Sequence, residues 1–157
     1  ALAETRFKGQ LCLSSSSLQI NRAVIAMLIN ELGVRPAELV VRGWLLNLAA
    51  PVFTSEEQVV EGIHAGTCRI GIVSDSVASQ SGLSAKVPQP ATVEINGIGI
   101  ARHANNPDGA LALVEWLIGE LPAETFDDID ASRQQDVGLV AWYQRDAALL
   151  AERARYR

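Results

Sequence analysis

Two short polar turns carry the residues of this chain best suited to hold a ligand. The first lies in "LSSSSLQINR", where Ser16 and Ser17 precede a helical pattern. Hydroxyls and free amide N–H groups that converge on a helix N-terminus can cradle an anion, because the helix dipole is positive there. The same serines can simply cap the helix, and Ser16 to Gln19 fits an S-x-x-Q capping box. The second turn, Ser74-Asp75-Ser76, follows the apolar run "RIGIV". Ser16, Ser17, Ser74, Asp75 and Ser76 are therefore the candidate ligand-binding residues, for a small anion or another polar solute. Asp75 counts against an anion, since a carboxylate in the same cleft repels it.

Other chemistries find little support. His64 and His103 are the only histidines, and neither has a Cys, His or carboxylate at metal-ligand spacing. His64 falls in the last turn of a helical pattern, an ordinary place for a cation. Asp127, Asp128 and Asp130 in "FDDID" lack the Gly and closing Glu of a calcium loop and read as a solvated acidic turn. There is no G-x-S-x-G, and no pairing of His with a nucleophile is legible. No metal site, cofactor or enzymatic activity is expected. Cys12 and Cys68 each sit in a short apolar, strand-like run. Two buried thiols would suit a reducing compartment and a disulfide an oxidising one, and spacing alone does not choose between them.

The 157 residues suit one domain with a single sizeable core. A hydrophobic fraction of 48% and a charged fraction of 20% are those of a soluble globular protein. A net charge of -5 without a basic stripe argues against nucleic acid. Arg153, Arg155 and Arg157 cluster at the C-terminus, where cations face a helix C-terminal dipole. No apolar run approaches the roughly 20 residues that span a bilayer. "ALAETRFKG" has no apolar signal-peptide core, so the protein is cytoplasmic or the chain starts downstream of its true beginning.

The elements that must position the two turns follow from periodicity. "GQLCL" reads as a buried strand, and a helix over 19–32 carries Ile20, Val24, Met27, Leu28 and Leu32, with Gly33 as its stop. A second helix starts near Pro36 with Leu39, Val40, Trp44 and Leu48 as its apolar positions. "AAPVF" is a connection. Thr54 to Glu57 fits a second capping box and opens a helix that ends near Gly66. The strand "RIGIV" follows, then a loop over "ASQSGLSAKVPQP". "ATVEINGIGIARHA" is a strand whose apolar parity switches at Gly97, which marks a bulge or bend. Asn106-Pro107 opens a helix through Leu113, Trp116 and Leu117, and a last helix over 137–154 carries Leu139, Trp142, Leu149 and Leu150. Strands that are apolar on both faces and alternate with helices indicate α/β with at least partly parallel pairing. The polar turns after Leu13 and Val73 then lie at the carboxyl ends of their strands, where open α/β sheets bind ligands.

Five ordered segments resemble the periplasmic iron(III)-binding proteins of ABC transporters, within the type 2 periplasmic solute-binding class. They are "FKGQLCLSSSSLQINRAVIAMLI", "VVRGWLLNLAAPVF", "VVEGIHAGTCRIGIVSD", "INGIGIARHANNPDGALALVEWLIG" and "WYQRDAALLAERARYR". The resemblance implies a three-layer single lobe over residues 1–157, with a mixed sheet flanked by helices. It covers only the C-terminal half of such a protein, and the lobe that normally comes first is missing. It implies a crossing strand at about 91–101 that includes Asn96 and Gly99, and a disulfide between Cys12 and Cys68 on adjacent strands. It further implies a periplasmic location and an ABC permease as partner of a full receptor.

Departures from the family pattern bear on function. These proteins grip ferric ion with tyrosines, because phenolate is a hard anionic oxygen ligand for a hard cation. At the positions of the adjacent tyrosine pair this chain has Ser76 and Val77, and at that of a further tyrosine it has Ile20. Its only tyrosines are Tyr143 and Tyr156. The segment before the last helix is also shortened. The expectation is a lobe without a ferric tyrosine site that binds a small anion or polar solute. Ser17 and Ser74 match positions near which some relatives hold an anion. The rival expectation is an interaction module, a homo-oligomer that self-associates through its exposed cleft and crossing strand.

Overall fold

The structure, a computed structural model, describes residues 2–87, 99–120 and 137–157. It is organised around a short buried strand. Strand β1 (Leu11–Cys12) pairs in parallel with β2 (Ile70–Gly71), Leu11 opposite Ile70 and Cys12 opposite Gly71. On its other edge β1 meets the segment that sequence reads as a mere connection. The Ala49 N–H donates to the Leu11 carbonyl and the Phe53 N–H to that of Leu13, both at 2.9 Å, through parallel bridges at Leu48 and at Phe53. The described pairings are thus all parallel.

Alternation along β1 builds two cores. Leu11 and Leu13 belong to a large cluster with Ile25, Val41, Trp44 and Leu150, contributed by helices α1 (Gln19–Leu32), α2 (Val34–Leu46) and α7 (Gln144–Ala154), while Val140 joins it from α6 (Val137–Trp142). Cys12 belongs to a separate small cluster with Val59 of helix α3 (Glu56–His64) and with Cys68. Successive strand residues face opposite sides, so a strand apolar at every position needs a layer on each. Gly71 lets α3 come close: a Cβ there would collide with Val59.

Several boundaries hold. Gly33 has φ 83° and closes α1 by donating its N–H to Ile29 O at 2.8 Å. Gly66, at φ 73°, follows α3. Helix α4 (Asp75–Gln80) occupies part of the expected loop after β2. The second capping box sits one residue later than its expected Thr54–Glu57. Ser55 accepts from the Gln58 N–H at 3.4 Å, and Gln58 Oε1 accepts from the Thr54 N–H and hydroxyl, each at 3.0 Å. Gln58, one residue further on, takes the reciprocal role assigned to Glu57.

The buried faces differ from the expected ones. On α1 they are Asn21, Ile25, Ala26 and Ile29, with Val24 and Leu28 only partly buried. On α2 they are Ala37, Val41 and Trp44, whereas Leu39 is largely exposed. Both helices are apolar over more than one stripe, and small Ala26 and Ala37, both fully buried, lie on the side that wins. The expected last helix is two, α6 and α7, separated at Tyr143; Leu139, Trp142 and Leu149 face solvent while Ala147, Leu150 and Ala151 are buried.

The chain divides into two compact units, Ala1–Val93 with Gln134–Arg157, and Glu94–Arg133. In the second, helix α5 (Pro107–Glu120) is capped as expected, Asn106 Oδ1 accepting from the Gly109 N–H at 3.0 Å. The expected strand at 91–101 lies largely outside the described residues, with Asn96 and the Gly97 bend, and residues 99–101 carry no strand. The "FDDID" turn also lies outside them. Among the described residues no helix is long and apolar enough to cross a membrane.

Candidate functional site

The two polar turns leave the carboxyl ends of a parallel pair and so emerge at one edge of the sheet. The first is held from below. Ser14 is fully buried, and Asn21, one turn into α1, points its Nδ2 at Ser14 Oγ (2.9 Å), Ser14 O (3.1 Å) and Ser15 O (3.0 Å). The Tyr156 hydroxyl donates to the same Ser14 carbonyl at 2.6 Å. In return the Ser16 hydroxyl donates to Tyr156 O at 2.7 Å. The expected capping box at Ser16 is therefore not formed. The N-cap of α1 is Leu18, without a side-chain cap, because the Ser16 hydroxyl serves the C-terminal tail instead. Ser15 and Ser17 pair with each other, Oγ to Oγ at 2.8 Å.

The tail reaches this place through a tight stop. Arg155 is left-handed at φ 62°, and the Tyr156 N–H donates to Ala151 O at 2.9 Å. This closes α7 in the Schellman manner and turns Tyr156 inward. Burial pushes the Tyr156 phenol well above its ordinary pKa. Above it lies a shallow cavity of about 250 Å³, lined by Ser16 and Ser17, Arg22 of α1, Ala148 and Glu152 of α7, and the tail residues Tyr156 and Arg157.

The second turn is built differently. Ser74 precedes α4, and its backbone N–H donates to a carboxylate oxygen of Glu56, in the first turn of α3. Ser74 Oγ and Ser76 Oγ lie 3.1 Å apart, and Asp75 and Ser76 are exposed. Ser74, Asp75 and Ser76 do not line the cavity at Ser16. Among the described residues no hydrogen bond joins the two turns. The five candidate residues thus form two neighbouring groups rather than one constellation. Sequence reasoning missed Arg22, Glu56, Asn21 and the inward Tyr156. Only Glu56 had a local signal, as an acid in a helix first turn; its pairing with Ser74, 18 residues on, had none.

Cys12 and Cys68 form a disulfide, with both residues buried and their Cα atoms 5.8 Å apart. Cys68 lies just before β2, beside β1, so the bond crosses between the strand segments. Among the described residues no group of His, Cys, Asp and Glu could hold a metal ion. His64 contacts the Ser81 carbonyl through Nε2 at 3.1 Å.

Short parallel strands between a large helical layer and α3, with polar turns at their carboxyl edge, give a type 2 periplasmic-binding-protein-like fold, as the structural relatives show. The apo ferric ion-binding protein A of Pasteurella haemolytica aligns with a TM-score of 0.78 at 20% identity, over 99% of this chain and 60% of that one. The Trichodesmium protein IdiA (FutA), in complex with iron and citrate ligands, aligns with a TM-score of 0.75 at 22% identity, over 99% and 61%. The Campylobacter jejuni ferric binding protein gives 0.78 at 18%, over 99% and 61%. In sequence the chain is a homologue of iron uptake protein A1 of Synechocystis sp., 22% identical in an alignment 142 positions long that covers 80% of this chain and 39% of that protein. The chain therefore spans about two fifths of this curated relative and about three fifths of the solved ones. No family model matches the chain.

Proposed function

We propose that the chain serves as one lobe of a solute-binding receptor of the iron(III) ABC-transporter type, acting in the periplasm with a permease, and that it lacks a tyrosine-built ferric site. It takes a small anion or polar solute at the turns of Ser16, Ser17, Ser74, Asp75 and Ser76. The observation that carries this reading is the pair of serine-rich turns at the carboxyl edge of parallel strands, in a fold shared with ferric-binding proteins. Loss of the ferric site is supported by Ser76, Val77 and Ile20 at the tyrosine positions of the resemblance. Tyr156 offers no substitute: its hydroxyl is buried and committed to Ser14 O. Titration with ferric citrate tests this, and the protein should stay colourless. A visible charge-transfer band at one iron per chain, abolished by mutating Tyr143 or Tyr156, would overturn it. Ser76→Tyr with Val77→Tyr should introduce weak ferric binding.

A second reading is an interaction module. Leu39 and Leu46 on α2, and Trp142 on α6, are 70%, 76% and 78% exposed. Large apolar surface of this kind favours association. Light scattering across a concentration series separates the two: a monomer whose melting temperature rises with solute supports the receptor lobe, and a solute-blind oligomer supports the module.

A further inference from the structure

We propose that the outer face of α2, α6 and α7 is a docking surface for helix α5 of a second copy of the chain, two copies exchanging their α5 helices. The inference rests on the reading of the chain as an interaction module and names the surface and the partner.

The face is apolar and continuous. On α2, Leu39, Arg42 and Leu46 recur at helical spacing and are exposed. Beside them Trp142 and Leu149 line a shallow depression of about 510 Å³ with Arg145 and Asp146. Arg42 joins the two halves by donating to the Arg153 carbonyl at 2.8 Å, one helical turn beyond Leu149. Leu39, Leu46 and Trp142 are the most exposed large apolar side chains among the described residues. The face is also basic, in a chain whose net charge is -5. Glu38 is held by both Arg42 and Arg153, whereas Arg35 and Arg145 have no ion-pair partner among the described residues.

Helix α5 is the complement. It buries no residue, and Leu111, Leu113, Trp116 and Ile118 are all exposed. Its charged residues, Asp108, Glu115 and Glu120, are all acidic. A short helix gains most of its stability from packing its apolar face, so α5 needs a surface to cover it. An acidic helix on a basic face is electrostatically matched and fixes which surfaces pair. Trp116 is the natural anchor, since a large aromatic seated in a depression carries much of an interface's energy. It sits against Trp142 and Leu149, where Arg145 stacks on the indole and Asp146 accepts from the indole N–H. Reciprocal exchange repeats the contact about a two-fold axis and leaves neither face open.

Sedimentation velocity of the full chain over a concentration series tests the proposal. The unmodified chain should dimerise with a Kd of about 100 μM or tighter, and added salt should weaken the dimer. Trp116→Ala and Trp142→Ala, both at exposed positions, should each weaken it about tenfold. An equimolar mixture of the two variants should associate more tightly than either alone, because one of its two contacts keeps both tryptophans. A mixture no tighter than its components means that Trp116 and Trp142 do not meet, and overturns the docking. If the chain dimerises but neither variant weakens it, this surface is overturned while the interaction-module reading survives. A monomer throughout the series overturns both and leaves the receptor lobe.

Discussion

The Tyr156 hydroxyl meets the Ser14 carbonyl at 2.6 Å, so the penultimate residue of the chain holds the first strand's exit loop in place. The two residues are 142 positions apart, and both are buried. Losing the hydroxyl leaves Ser14 O with Asn21 alone in a dry setting. Tyr156→Phe should therefore destabilise the fold by about 1–2 kcal/mol, and Tyr156→Ala, which also removes the ring, by about 3–5 kcal/mol. Denaturant unfolding measures both. Equal midpoints for Phe and Tyr would mean that the hydrogen bond adds nothing. Because burial raises the phenol's pKa, its ultraviolet titration should appear only with alkaline unfolding.

Much of the frame around this contact is legible from local pattern. Leu11, Cys12 and Leu13 read as a strand apolar on both faces, and the structure supplies a core on each. Gly33 marks the end of α1 because only a residue tolerant of positive φ fits there. What escapes the sequence is tertiary choice. The α1 stripe of Ile20, Val24 and Leu28 is as apolar as the one that wins, with Ile25, Ala26 and Ile29, so periodicity alone does not choose between them. The Ser16 hydroxyl has a local use, capping, and a distant one, the Tyr156 carbonyl. No pattern along the chain reveals that the distant partner prevails. Glu56 at Ser74 is a pairing of the same kind.

The Cys12–Cys68 bond spans a sequence separation of 56 and joins β1 to the small core that carries α3. Closing such a loop stabilises by about 2–4 kcal/mol, by a mechanism that is model-dependent. Cys12→Ser with Cys68→Ser should lower stability by that amount, and first loosen α3 rather than the α1–α2–α7 core. Hydrogen exchange resolved by segment checks this. Uniform loss of protection across all helices would contradict the separation of the two cores. In the oxidised, denatured protein a thiol titration should find no free thiol.

Helices α2 and α7 share a charge cluster. Glu38 lies 2.8 Å from Arg42 and 3.2 Å from Arg153, and Arg42 also donates to the Arg153 carbonyl at 2.8 Å. The hydrogen bond from Arg42 lowers the Glu38 pKa most, with Arg153 adding to it. A carboxyl whose pKa is lower folded than unfolded binds fewer protons in the native state. Its contribution is therefore fully present above the unfolded pKa and is lost as pH falls through the folded one. The gap in stability between the unmodified chain and Glu38→Gln should thus shrink on acidification below the ordinary carboxylate range. It should also shrink with added salt, since the cluster is at the surface. Chemical unfolding at a series of pH values measures it, and a gap that grows with acid would reverse the sign argued here.

Glu56 decides what the second turn can hold. Its carboxylate already accepts the Ser74 N–H, so an incoming anion at that turn meets a negative charge seated on the amide it needs. Asp75 adds a second carboxylate beside it. Repulsion between unit charges a few ångströms apart near a protein surface is about 1 kcal/mol or more, enough to weaken an anion at least ~5-fold. Glu56→Gln keeps an oxygen to accept from Ser74 while removing the charge. Citrate or phosphate affinity should therefore rise about 5-fold in Glu56→Gln if the Ser74 turn contributes to the anion site. Ser74→Ala in the same background would test the hydroxyl's share. The substitution also removes an acid from the first turn of α3. An acid there complements the helix dipole, so a loss of about 0.5 kcal/mol in stability is expected alongside. Anion affinity that stays the same in Glu56→Gln while stability falls would confine Glu56 to holding α3 against α4, and would leave the Ser16–Ser17 side as the place where an anion binds.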